Sequence, residues 1–343
     1  MRPVVLDPST PVADAVGAIV AEEVRAGGRR LFRKGEIVTA DRAADLVLLD
    51  RPIHAVIPDT DEVHEDDAAR LLARLVAGEG TQIFEPLLSR VTIKATRKGL
   101  LRVDVDTIRD LNLIPDVAIF TQLDRLAVLP GKVLAGVKIS PVVTRQSTLE
   151  RATEVAGGKA IVQVKAFLPL RIGVLSTDGL QGRARERFQE SVSKKINWYG
   201  GELLGFADLP KDANAVAETI EGYVDQGADL VLTGGGNTID PLDATLQALP
   251  RVGAEIVMYG APVHPGSMLW LAYRGEIPVF NLASCSMFSR STSADLILPW
   301  LMAGERVGAA DIAALGYGGS LDRDMQYRFP PYDAESVSED IAE

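Results

Sequence analysis

Residues 230–245, LVLTGGGNTIDPLDAT, place Thr233, three consecutive glycines, Asn237 and two aspartates within one short span. The apolar run ahead of them reads as a buried strand. Gly234, Gly235 and Gly236 open its end into a loop with almost no side-chain bulk. Such a loop lets backbone N–H groups come close to a phosphate or another anion. Asp240 and Asp243, just beyond, could hold a cation that neutralises that anion. No Gly-Lys-Ser/Thr follows, so this is not a nucleotide P-loop, and the spacing is not that of the dinucleotide fingerprint. The alternative is a plain strand-to-helix turn with Asp243 as the helix N-cap. Spacing alone leaves both readings open.

Three other groups have chemistry to offer. Ser176, Thr177, Asp178 and Gly179 end an apolar run, where Asp-Gly equally suits a simple turn. Residues 260–267, GAPVHPGS, form a Pro/Gly loop that carries His264. Residues 283–293 form a polar stretch with Cys285 and five serines. A lone cysteine is more often a small buried hydrophobe than a ligand. The three histidines, His54, His64 and His264, lack metal-ligand spacing, which argues against a zinc enzyme.

The elements that must position these groups follow from periodicity. Apolar runs at 172–176, 202–206 and 229–232 alternate with helical patterns at 183–199 and 213–226, the second capped by Asp212. This βαβαβ alternation predicts an α/β domain with a mostly parallel sheet between helical layers. Ligands of such sheets sit beyond the carboxyl ends of the strands, where the Thr177 and Thr233 loops would meet. Further strands are expected at 255–259, 268–273 and 277–282, the last two turned at Arg274-Gly275-Glu276. A helix follows from about Ala294, bent or restarted at Pro299.

Ahead of that domain, residues 1–60 read as a small β/α unit and 61–165 as a mixed α/β region. The latter carries a helix at 66–77 and a short helix at 106–111 capped by Asp106. The domain itself spans 171–304. Residues 305–343, with Gly-Gly, Pro330-Pro331 and an acidic end, read as an extended or disordered tail.

Composition narrows the partners. A net charge of −11 argues against nucleic acid, whose phosphates want a basic footprint. It leaves room for one small phosphorylated ligand held by local N–H groups. No apolar run reaches membrane-spanning length, and the first residues lack the apolar stretch of a signal peptide. With one cysteine and so no intrachain disulfide, a cytoplasmic location is expected.

TGGGNTIDPLDAT, followed by PVHPGSMLWLAYRGEIPVFNLASC, resembles the molybdopterin-binding superfamily. Thr233, Gly234, Gly235, Asp240, Pro241, Asp243 and Thr245 match its first motif. Pro265, Gly266, Pro278, Val279, Phe280 and Leu282 match its second. The segments 15–24, 29–46 and 66–76 are similar to the region that precedes this domain in bacterial cofactor nucleotidyltransferase fusions. The usual Leu-Pro-Gly is here Leu282-Ala283-Ser284-Cys285. The resemblance implies a three-layer sandwich that binds molybdopterin or the molybdenum cofactor. On that reading Gly234–Asn237 supply backbone donors, with Thr177, Asp178, Thr233, Thr245, Pro265, Gly266, Ser267, Ser284 and Cys285 lining the site. Asp243, then Asp240, would be the catalytic carboxylates, with Asp243 holding Mg²⁺ while a nucleotide, ATP or CTP, reacts. It further implies a homo-oligomer, and either a transferase of cofactor biosynthesis or a carrier delivering cofactor to a molybdoenzyme. An unrelated sugar- or nucleotide-phosphate enzyme on a similar sheet is the third reading.

Overall fold

The computed structural model describes residues 1–235, 240–288 and 291–336. The chain forms two compact units. One comprises Met1–Thr96, Arg102–Asp124 and Gly131–Val164; the other comprises Arg97–Leu101, Arg125–Pro130 and the chain from Lys165 onward. The expected division at residue 60 is not a boundary between units. Strand Glu62–His64 pairs with Val143–Arg145, and the Met1 ammonium reaches Asp59 and Glu62, which ties the two stretches together.

In the first unit, Arg2–Leu6, Ile53–Ile57 and Ile19–Val20 make a small antiparallel sheet over a core of Leu6, Phe32, Leu46 and Ile53. A four-stranded antiparallel sheet runs Val117–Thr121, Val133–Ile139, Val91–Ala95, Thr81–Ile83. The helix expected at 106–111 spans Val105–Asn112, and Asp104, not Asp106, caps it. The Asp104 carboxylate accepts from the Thr107 N–H at 3.0 Å and its hydroxyl at 2.7 Å, while Asp106 pairs with Arg109 on the helix surface.

The second unit is built on a six-stranded sheet. Its order is Glu202–Asp208, Arg171–Ser176, Leu230–Gly234, Ile277–Leu282, Trp270–Arg274, Glu255–Tyr259. The first four are mutually parallel, and Trp270–Arg274 alone runs antiparallel to both its neighbours, so the sheet is mostly parallel as expected. Side chains alternate across a strand, so each central strand serves two layers. Val174, Leu232 and Phe280 face Phe188 and Val192 of helix Gly182–Tyr199 and Ile297 of helix Ser293–Met302. Leu175, Val231 and Val279 face Val216 and Ile220 of helix Ala213–Asp225. The result is a helix–sheet–helix sandwich with one core on each face. On the second face a Cβ at Gly173 would lie 2.4 Å from the Tyr223 ring, so the strand carries glycine where that helix comes closest.

Three expectations are corrected or narrowed here. The polar stretch after Leu282 begins with a short helix, Ser284–Phe288, instead of a loop. Of the two alternatives at Pro299, bend or restart, the restart is excluded, since helix Ser293–Met302 runs through the proline. As far as it is described, the C-terminal segment is not a loose tail: it forms helix Ala309–Ala314 and the 3₁₀ turn Arg323–Arg328, and it buries Phe329 and Tyr332. Two buried aromatic anchors outweigh the Gly/Pro content that suggested disorder. Tyr317 and Tyr327 stay exposed.

Candidate functional site at the carboxyl ends of the parallel strands

The strand Leu230–Gly234 is buried along its whole length. Its end is fixed from both sides: Ser176 pairs with Gly234 in register, the Thr177 N–H donates to Gly234 O at 3.4 Å, and the Gly235 N–H donates to Leu282 O at 3.3 Å. Gly235 has φ +80°, and a Cβ there would lie 2.2–2.5 Å from the carboxyl atoms of Asp178. The backbone turn and the Asp178 carboxylate are therefore in direct apposition, and only glycine fits between them. A Cβ at Gly234 would meet Phe188 at 2.4 Å, so the second glycine is required by packing beneath the turn.

Around this turn sit buried polar groups. Thr177, Thr233, Thr245 and Asn281 are 1% exposed or less. Asn281 Nδ2 donates to Thr233 Oγ1 at 3.2 Å and to Gly235 O at 2.8 Å. Two buried oxygens, Thr177 Oγ1 and Asn281 Oδ1, have no hydrogen-bond partner among the described residues. Buried polar atoms are seldom left unpaired, and those that are tend to mark sites where a ligand or solvent completes the set.

Asp243 is the N-cap of helix Ala244–Ala248. Its Oδ1 accepts from the Thr245 N–H at 2.9 Å and the Thr245 hydroxyl at 2.6 Å, and the residue is 8% exposed. Asp240 is exposed and turns the chain by accepting from the Leu242 N–H at 2.9 Å. Pro265 and Gly266 sit at the start of helix Ser293–Met302: the Ser293 hydroxyl donates to Gly266 O at 2.6 Å, and a Cβ at Gly266 would lie 2.3 Å from that hydroxyl. Ser267 and His264 are exposed. Gly236 and Asn237 lie outside the described residues, as do the side chains of Ser284 and Cys285.

Two groups near the site escape sequence reasoning. Asn281 is the sole polar residue in the strand IPVFNL, a signal that can be read in retrospect. The other is a buried ionic cluster. Lys195 Nζ donates to Asp295 Oδ1 at 2.7 Å and to Ser286 O at 3.3 Å, with the two side chains 3% and 0% exposed. Asp295 also accepts from the Tyr332 hydroxyl at 3.0 Å and the Thr292 hydroxyl at 2.9 Å, and Tyr332 contacts the Tyr199 hydroxyl at 3.2 Å. Through Ser286 this cluster braces the short helix Ser284–Phe288, whose Met287 lies against Gly234.

Burial pushes the Tyr199 and Tyr332 hydroxyls well above their ordinary value near 10.0. The unfolded chain then gives up these protons first, so the stability they contribute is complete below about pH 10 and is lost as pH rises through the higher native values. The expected result is a urea midpoint that drops steeply above about pH 10. Combining Tyr199→Phe with Tyr332→Phe should flatten that drop; an equally steep fall in the double variant would assign it to other groups.

The Gly234–Gly235 turn lies at the carboxyl end of the central parallel strand of a helix–sheet–helix α/β domain. Residues 171–303 match the family model described as a probable molybdopterin binding domain, so this stretch carries a domain of that family. Among solved structures, the chain is similar to the molybdopterin biosynthesis enzyme MoaB from Thermus thermophilus, with 20% identity over 38% of this chain and 91% of that one, at a TM-score of 0.29. It is also similar to a molybdopterin biosynthesis MoeA protein from Pyrococcus horikoshii, with 14% identity over 71% and 74% of the two chains, at a TM-score of 0.32. A search of curated proteins gave no match. No helix among the described residues is long and apolar enough to cross a membrane.

Proposed function

We propose that the protein binds molybdopterin or the molybdenum cofactor at the turn after Thr233 and takes part in molybdenum cofactor biosynthesis. The family match at 171–303 carries this reading, because it falls on the stretch that holds the side-chain-free turn. Gly234, Gly235, Gly236 and Asn237 offer backbone donors to the pterin or its phosphate. On this reading Thr177, Asp178, Thr233 and Thr245 would contact the ligand from the strand ends, with Pro265, Gly266, Ser267, Ser284 and Cys285 completing the binding set. The unpartnered Thr177 Oγ1 and Asn281 Oδ1 supply hydrogen-bonding capacity that a pterin's ring N–H groups can use.

As a transferase, the protein would add a nucleotide to the pterin or insert metal. Two carboxylates three residues apart, Asp240 and Asp243, suit a hard cation such as Mg²⁺, which would supply charge neutralisation on the phosphates. What the chain itself contributes is position: Thr245 holds the Asp243 carboxylate in one orientation at the helix start.

The test is incubation of the protein with molybdopterin, Mg²⁺ and ATP or CTP, reading pterin binding and pyrophosphate release. Asn caps helices about as well as Asp, so Asp243→Asn should keep the fold. It should hold pterin affinity within about threefold and cut turnover by roughly 100-fold or more. Unchanged turnover removes Asp243 from the chemistry. Tight pterin binding without pyrophosphate release favours a carrier that hands cofactor to a molybdoenzyme, and absence of pterin binding defeats the proposal.

A further inference from the structure

The first unit has a separate cavity of about 520 Å³, lined by four cationic side chains, Arg30, Arg33, Lys34 and Arg42, against two carboxylates, Glu36 and Asp66. This is the opposite balance to the chain as a whole, whose net charge is −11. The volume falls within the ordinary range for small-ligand sites.

The floor of the cavity is held rigidly. Gly35 has φ +78°, and a Cβ there would lie 2.0 Å from Glu65 Oε1, so the Gly35 backbone lies directly on that carboxylate. Glu65 is 1% exposed, and its other oxygen accepts from Lys34 Nζ at 2.9 Å. His64 Nδ1 accepts from the Asp66 N–H at 3.2 Å, which leaves Nε2 to donate to Gly35 O at 2.7 Å. The lysine, the glycine and the start of helix Glu65–Val76 are thus locked together, although Lys34 and Glu65 lie far apart in sequence.

The mouth differs. Glu36 is already engaged, accepting from Arg42 Nε at 2.7 Å and the Arg33 N–H at 2.9 Å, and Arg42 also pairs with Asp45. Arg33 has no ion pair among the described residues, and the carboxylate recorded nearest Arg30 is that of Glu23, 3.9 Å away. Two guanidinium groups therefore face the opening with donors to spare, above a preorganised floor. Guanidinium forks match phosphate oxygens in geometry as well as charge.

We propose that this cavity binds a small phosphorylated molecule, with Arg30 and Arg33 on its phosphate oxygens and Asp66 accepting from hydroxyl or amino groups elsewhere on it. The site is independent of the pterin turn, so either proposal can fail alone.

Inorganic pyrophosphate, titrated calorimetrically at low ionic strength, is the probe. Saturable binding should survive Gly235→Ala, weaken with added salt, and fall roughly tenfold in Arg33→Gln and again in Arg30→Gln. Arg151→Gln, at an exposed position on helix Gln146–Ala156 of the same unit, should bind as wild type. Exposed arginines tolerate glutamine, and coincident melting curves would verify that the variants fold. Three results would overturn the proposal: no saturable binding, equal affinity in wild type and the Arg30 and Arg33 variants, or an equal loss in Arg151→Gln.

Discussion

Replacing Lys195 with methionine is expected to destabilise the second unit by about 3 kcal/mol, the lower end of the cost of stripping one partner from a buried ion pair. Methionine fills nearly the same volume, so the loss is electrostatic. Asp295 keeps its hydroxyl donors from Thr292 and Tyr332, but at 0% exposure it loses the cation recorded against it among the described residues. A domain of this size should melt roughly 6–12 °C lower. Combining Lys195→Met with Asp295→Asn removes the stranded charge while keeping an acceptor for Tyr332, so the double variant should recover most of the loss. Differential scanning calorimetry of the four proteins closes the cycle. A single-variant loss under about 1 kcal/mol, or a double variant no better than the single, would mean the pair contributes packing alone.

Gly235→Ala should weaken pterin binding by at least about tenfold while costing only about 1–2 kcal/mol of stability. The stability term is the left-handed backbone at φ +80°. The binding term is geometric: the new methyl occupies the space of the Asp178 carboxylate, so either that side chain or the turn must shift. Asp178→Ala in the same background should return part of the affinity, because it vacates the contested space. Fluorescence titration with molybdopterin, alongside a melting curve, separates the two terms. Wild-type affinity in Gly235→Ala would show that the ligand does not use this turn.

How much of this was legible depends on whether a residue's role is local. Strands Glu255–Tyr259 and Ile277–Leu282 fall where the apolar runs place them, because turn residues bound each run. Asp212 caps its helix as expected, since the carboxylate only has to reach the N–H groups of Asn214 and Ala215. Asp104 and Asp106 could not be ranked from sequence, since both precede a helical pattern and only the backbone at Asp104 leaves the helical region. Lys195 was invisible for a stronger reason. In the run SKKIN it reads as solvent-facing, and its partner lies 100 residues away. The glycine turn was legible as an opening, but that Asp178 fills the space above Gly235 needed the fold to bring two loops together.

The buried pair Phe329 and Tyr332 decides where this domain can be cut. Likeness to the family ends at residue 303, whereas packing continues for at least roughly thirty residues more, to where Ala334 O accepts from the Trp198 indole at 2.9 Å. A fragment trimmed to the region of likeness would bare Trp198 and Tyr199 to water and take a hydroxyl from Asp295. Expression boundaries for the isolated domain belong beyond the last aromatic anchor, not at the end of the recognisable motif.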